Sequence, residues 1–214
     1  MSKKVVFFDF DGTIAETMFA GIPIYNNIAR EYGFKEITED MIPSLRDKNL
    51  RQIIKELEIP RLKIPIIARR LRKELKEIIP NIKPILGIPD IVFFLKNKGC
   101  VIGIVTSNSK SNVNLFLKKN KLYVFDFIRA NSGIFSKASA IKKTISYYEL
   151  QDYEKIFIGD EIKDVSAAKK NKVTVIGVTW GANSKLGLEN NNADFVVDTA
   201  EELKSILSDF CDMN

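Results

Sequence analysis

Asp9 and Asp11 stand two residues apart at the end of the run Lys4-Val5-Val6-Phe7-Phe8, and Gly12 and Thr13 follow at once. A short apolar run rich in β-branched and aromatic residues predicts a buried strand. Ligands of open α/β sheets sit outside the carboxyl ends of the strands, where these two acids would stand. Two carboxylates this close repel each other unless a cation offsets them. Oxygen donors of this type suit Mg²⁺; the plain alternative is a strand end followed by ordinary turn formers.

Two further strand ends carry polar groups. Val101-Ile102-Gly103-Ile104-Val105 runs into Thr106, Ser107 and Asn108. A hydroxyl and backbone N–H groups at such a turn suit a phosphate-sized anion, or simply cap a helix. Ile156-Phe157-Ile158 runs into Gly159, Asp160 and Glu161, with Asp164 one helical turn further on. Lys137, preceded by Ser136, falls just before a predicted helix on the same side of the sheet. Asp-x-Asp, Thr and Gly-Asp-Glu-x-x-Asp at three strand ends describe a place for a phosphate group and a hard divalent cation.

The elements that must position these residues follow from punctuation and periodicity. After the first strand, residues 15–82 read as helical pieces at 17–32, 39–45, 49–57 and 65–79, framed by Gly33, Pro60, Pro65 and Pro80. From Gly87 onward helix and strand alternate: helix 88–98, strand 100–105, helix 111–120, strand 125–130, helix 138–148 and strand 155–158. Helix 162–170, strand 173–178, a weak strand 195–197 and helix 200–210 complete the chain. This alternation predicts the α/β class, a doubly wound parallel sheet with right-handed crossovers. The predicted domains are an α/β core of residues 1–14 and 83–214 and a small helical cap, residues 15–82, inserted after the first strand.

Composition bounds the chemistry. The 214 residues are 45% hydrophobic and 28% charged, which suits a globular protein with a sizeable core. Histidine is absent, which excludes Ser-His-Asp and Cys-His catalysis, His-ligated zinc and histidine phosphotransfer within this chain. Charged residues interrupt every apolar run, so no membrane span is expected. Cys100 and Cys211, the second placed in a terminal tail, read as reduced thiols of a cytoplasmic protein. The net charge of +6 suits an anionic substrate or nucleic acid. The basic residues from Arg61 to Lys76 alternate with Ile and Leu as in an amphipathic helix with a solvated face. No nucleic-acid-binding motif accompanies them, which argues against that partner.

These motifs together resemble the haloacid-dehalogenase-like phosphohydrolases, and especially their phosphoglycolate-phosphatase-like branch with a helical cap. The resemblance implies that Asp9 is the nucleophile, Asp11 the acid–base, and Thr106 and Lys137 the second and third catalytic motifs. Lys137, rather than Lys142 or Lys143, has the family's distance to Gly159. It implies Mg²⁺ held by Asp9, the Asp11 carbonyl and Asp160, with waters fixed by Glu161 or Asp164. Gly12, Thr13, Ser107 and Asn108 would receive the phosphate of a small phosphorylated metabolite. Arg46, with Lys48 and Arg51, would read a second anionic group on the substrate, and Trp180 is a further candidate. The expected activity is Mg²⁺-dependent hydrolysis of a phosphate monoester such as phosphoglycolate, a sugar phosphate or a nucleotide, by a monomer or homodimer. A phosphomutase or pyrophosphatase on the same scaffold, a signalling receiver domain and a non-catalytic nucleic-acid binder are the alternatives.

Overall fold

A computed structural model describes residues 3–130 and 137–213. Six strands form one parallel sheet among these residues: β1 (Lys4–Phe8), β2 (Val101–Val105), β3 (Phe127–Arg129), β4 (Glu154–Gly159), β5 (Thr174–Val178) and β6 (Phe195–Val197). Their order is β3-β2-β1-β4-β5-β6. The strand sequence therefore reverses direction across the sheet between β1 and β4, and such a switch point opens a crevice at the carboxyl ends. Phe8 is in register with Ile104 on one side and Ile158 on the other. Thr106, Asp9 and Asp160 consequently leave three adjacent strands at one level.

Past their first residues, Lys4 of β1 and Glu154-Lys155 of β4, the central strands are apolar because both faces are covered. All five residues of β1 are buried. One face packs Val6, Phe8, Ile104 and Ile158 beneath helices α5 (Ile88–Asn97), α6 (Lys110–Lys119) and α10 (Ala200–Asp212). The opposite face packs Phe7, Val105 and Phe157 beneath α7 (Lys137–Tyr147) and α8 (Ile162–Lys170). Gly103 is required in β2, because a Cβ there would enter the ring of Phe127 on the neighbouring strand.

Between β1 and α5 the chain forms α1 (Met18–Tyr32), α2 (Ile42–Arg46), α3 (Leu50–Glu56) and α4 (Ile64–Ile78). These helices share two small apolar clusters of their own, around Ile24, Ile28 and Ile67 and around Tyr25, Ala29 and Leu57. Helix α4 carries its charges outward: Arg70 pairs with Glu74 at 2.8 Å and also with Glu31. The two places where this segment leaves and rejoins the sheet are joined through the backbone, Glu16 N–H donating to the Lys83 carbonyl at 3.1 Å and Ile85 N–H to Ile14 at 2.9 Å.

Three elements differ from their predicted forms. A short helix, α9 (Lys185–Glu189), was not expected; at five residues it has no readable period, and its start is marked only by Ser184, whose hydroxyl accepts the Gly187 N–H. Strand β3 is shorter than predicted, because Asp126 turns back to accept the Ile102 N–H at its start. Helix α10 extends to Asp212, so Cys211 lies in the helix rather than a tail, its Sγ 3.4 Å from that of Cys100. Leu207 of α10 is fully buried against the sheet. Leu207→Ala should cost about 2–5 kcal/mol, read as a lower urea midpoint at unchanged slope.

Candidate active site

Burial and pairing single out one cluster at the switch point. Asp9, Asp160 and Asp164 each present a carboxylate oxygen, all within 4.8 Å of one another, and all three residues are buried. Asp9 follows β1 directly; its backbone N–H is held by Ile158 at 2.9 Å and its Oδ1 accepts the Phe10 N–H at 2.7 Å. Asp160 follows β4 and accepts the Thr13 hydroxyl at 2.8 Å and the Ala182 N–H at 2.7 Å. Gly12 sits above it at φ +70°, and a Cβ there would collide with the Asp160 carboxylate. Asp164 occupies the first turn of α8, where a negative charge is favoured by the helix dipole.

Lys137, at the start of α7, lies 2.5 Å from both Asp9 Oδ2 and Asp164 Oδ1. Burial opposes ionisation of all three groups, but Lys137 and Asp9 favour each other's charged form. Burial alone would raise the Asp9 carboxyl, yet the charges of Lys137 and then Lys163 hold it below the usual range. Asp164 stays well above that range, because burial outweighs its share of Lys137. Burial tends to discharge Lys137, but Asp164 and Asp9 raise its ammonium above the ordinary lysine value. Asp160 is pushed to about 7 by burial and then by Glu161 and Asp9. Both Asp164 oxygens are buried without an aligned hydrogen bond. A set of hard, partly unsatisfied oxygens in excess of the nearby cations fits a divalent ion such as Mg²⁺.

Asp11 lies apart from that trio. Its two oxygens accept the Asn108 side-chain amide at 2.9 and 3.0 Å. Burial first, and the Asp9 charge second, raise its pKa to about 6. Thr106 is buried at the end of β2, its hydroxyl accepting the Asn108 N–H at 3.0 Å. Ser107 is half-buried in the same turn.

The remaining predicted residues take different places. Asn108 and Thr13 hold Asp11 and Asp160 respectively, so their side chains position acids. Glu161 pairs with Lys163 at 2.6 Å and stands outside the carboxylate trio. Arg46 points to the loop after β5, donating to the carbonyls of Thr179 at 2.5 Å and Gly181 at 3.3 Å. Lys48 pairs with Glu56, whereas Arg51 lines a polar groove of about 330 Å³ with Lys137, Lys163 and Lys170. Trp180 is half-buried beside the core, its indole donating to Thr13 at 3.4 Å. Ser136 lies outside the described residues.

Sequence reasoning missed Lys163 and Asn183. Asn183 accepts the Ile162 N–H at 2.9 Å and donates to Arg46 and Lys48 carbonyls at 2.7 and 3.0 Å, tying α8 to the α2–α3 segment. No spacing in the chain marks it; only the adjoining loop after a strand end hinted at a role.

The family model described as haloacid dehalogenase-like hydrolase matches residues 6–178. Phosphoglycolate phosphatase of Synechococcus elongatus is 27% identical over 201 residues, covering 94% of this chain and 95% of that protein. Pyrophosphatase PpaX of Anoxybacillus flavithermus is 25% identical, covering 97% and 98%. A crystal structure of a predicted phosphatase from Clostridium acetobutylicum shares the fold with a TM-score of 0.81 at 22% identity, covering 98% of this chain and all of that one.

Proposed function

This chain belongs to the haloacid dehalogenase-like hydrolases, and from that premise we propose that it hydrolyses a small phosphate monoester through a phosphoryl group carried on Asp9. The observation that supports this reading most is the pairing of an ionised, lysine-held Asp9 with a separate acid, Asp11, on the same strand end. Asp9, Asp160 and Asp164, with the Asp11 carbonyl, would hold Mg²⁺, which when bound offsets the charge shared by substrate phosphate and carboxylates.

The chain's own groups then divide the work. The Asp9 carboxylate attacks phosphorus, forming a P–O bond to Asp9 as the bond to the ester oxygen breaks. Asp11 gives its proton to that leaving oxygen, and in the second step takes one from the water that splits the aspartyl-phosphate. Lys137 balances the charge around Asp9, and Thr106 with the N–H groups of the β2–α6 turn faces the non-bridging oxygens. Asn108 keeps Asp11 in place, and Thr13 keeps Asp160 in place.

Residues 15–82 act as a cap over the core of residues 1–14 and 83–214, opening at Ala15-Glu16 and Lys83-Pro84. Arg46 and Asn183 latch the cap's α2–α3 segment to the loop after β5.

Asp11→Asn tests the acid–base assignment. Turnover of alkyl phosphates should fall about 10²–10⁴-fold. The fall should be much smaller for p-nitrophenyl phosphate, whose leaving group needs little protonation. Equal losses on both would remove Asp11 from that role.

A further inference from the structure

Above Asp11 the cap and core border an open-mouthed pocket of about 370 Å³ whose walls are mostly hydrocarbon. Its sides come from Met18 and Gly21 of α1, Ile53 and Ile54 of α3, and Ile67 and Leu71 of α4. Its floor carries Asp11, Gly12, Asp160 and Glu161. Among the described residues no lysine or arginine lines it. The phenol of Tyr25, which also lines it, is already engaged, donating to the Lys35 carbonyl at 2.8 Å. The volume is more than twice that of a 150 Å³ apolar cavity able to hold benzene.

We propose that this cavity receives the leaving group, and that the substrate is the phosphate monoester of an apolar alcohol, alkyl or aromatic. The inference rests on the phosphatase reading above and narrows it to a substrate class. Asp11 must reach the ester oxygen to protonate it, so the organic part of the substrate extends to the side that Asp11 faces. Asp11 lines the apolar cavity, its carboxylate held at the cavity's edge by Asn108. The polar groove with Arg51, Lys163 and Lys170 is lined by Lys137 but not by Asp11, so it lies on the wrong side to hold the leaving group. A carboxylate or second phosphate placed in the cavity would lose its water beside three acids with no lysine or arginine to meet it. Arg46, a cap residue that does not line the cavity, donates its Nη2 to backbone carbonyls of the loop after β5. An uncharged hydrocarbon instead removes from water the half-buried Ile53, Ile54 and Leu71 as well as itself.

Phosphate release from ethyl, butyl and hexyl phosphate decides the proposal, measured with Mg²⁺ beside p-nitrophenyl phosphate, 2-phosphoglycolate and pyrophosphate. Burying one more methylene multiplies binding about three- to fourfold. kcat/KM should therefore rise ~10²-fold from ethyl to hexyl phosphate, with hexyl phosphate preferred over both competitors that carry a second anionic group. A flat alkyl series, or preference for 2-phosphoglycolate or pyrophosphate, while p-nitrophenyl phosphate is still cleaved, overturns the apolar class and leaves the phosphatase reading standing. No release from any substrate overturns both.

Gly21→Leu adds an independent arm. A Cβ at Gly21, which lines the cavity, meets nothing within 4 Å, so a larger side chain can start there without a clash at its root. It should flatten the alkyl series by lowering kcat/KM for hexyl phosphate toward the ethyl value. An unchanged slope in a folded variant counts against the cavity as the leaving-group site. The wild-type series decides the proposal whether or not this variant folds.

Discussion

Asp9→Asn is expected to abolish turnover on every phosphate ester, by at least ~10⁴-fold, including p-nitrophenyl phosphate. The amide nearly matches the carboxylate in size, and its oxygen can still accept the Phe10 N–H, but its lone pairs are no longer those of an anionic nucleophile. Folding should survive, because Lys137 keeps Asp164 as a partner when the Asp9 charge is removed. The contrast with Asp11→Asn carries the information. Loss of the acid is softened by a good leaving group, whereas loss of the nucleophile is not. Steady-state rates on p-nitrophenyl phosphate for both variants, with circular dichroism as the folding check, give the comparison. An Asp9→Asn enzyme within tenfold of the parent would mean that water attacks phosphorus directly.

Removal of divalent metal is the second large effect. EDTA should eliminate turnover, and Mg²⁺ should restore it. A separate readout needs no substrate. Binding to Asp9, Asp160 and Asp164 in the folded state alone stabilises that state by ~2.7 kcal/mol at a hundredfold excess over Kd. For a chain of this length that is a rise in Tm of roughly 5–10 °C. Asp164→Asn should reduce the rise, since Asp164 contributes an oxygen to the trio. Full activity in rigorously metal-free protein, or a Tm insensitive to Mg²⁺, would contradict the assignment of these carboxylates.

Legibility in the sequence tracks how local each feature is. Strands β1, β2, β4 and β5 each contain an apolar run because both faces of the sheet are covered, and the polar residues that follow stand out against that background. Asp9, Asp160 and Lys137 therefore announced themselves as strand-end or helix-start residues. What spacing does not carry is contact between distant segments. The Asn108–Asp11 bond joins residues 97 apart and the Thr13–Asp160 bond residues 147 apart. Both side chains read as phosphate ligands, and the fold adds that each also holds an acid. The choice between Glu161 and Asp164 was likewise a matter of direction: Glu161 precedes the first turn of α8 and turns to Lys163, while Asp164 faces inward. Arg46 read as a substrate contact because charge on a cap helix suggests an anion; the fold adds that its Nη2 donates to the loop after β5. The apolar cavity was hidden for a related reason. Ile53, Ile54, Ile67 and Leu71 show only helical periodicity, which is the same for a side chain packed in a core and one lining an open space.

The most direct test of the central claim is the covalent step itself. Turnover mixtures quenched in acid within the first catalytic cycles, digested and mapped by mass spectrometry, should show one phosphoryl group on the peptide that contains Asp9, assigned to Asp9 by fragmentation. Phosphate appearing at the full rate throughout that interval, with Asp9 unmodified or with the phosphoryl group on another residue, would contradict the account.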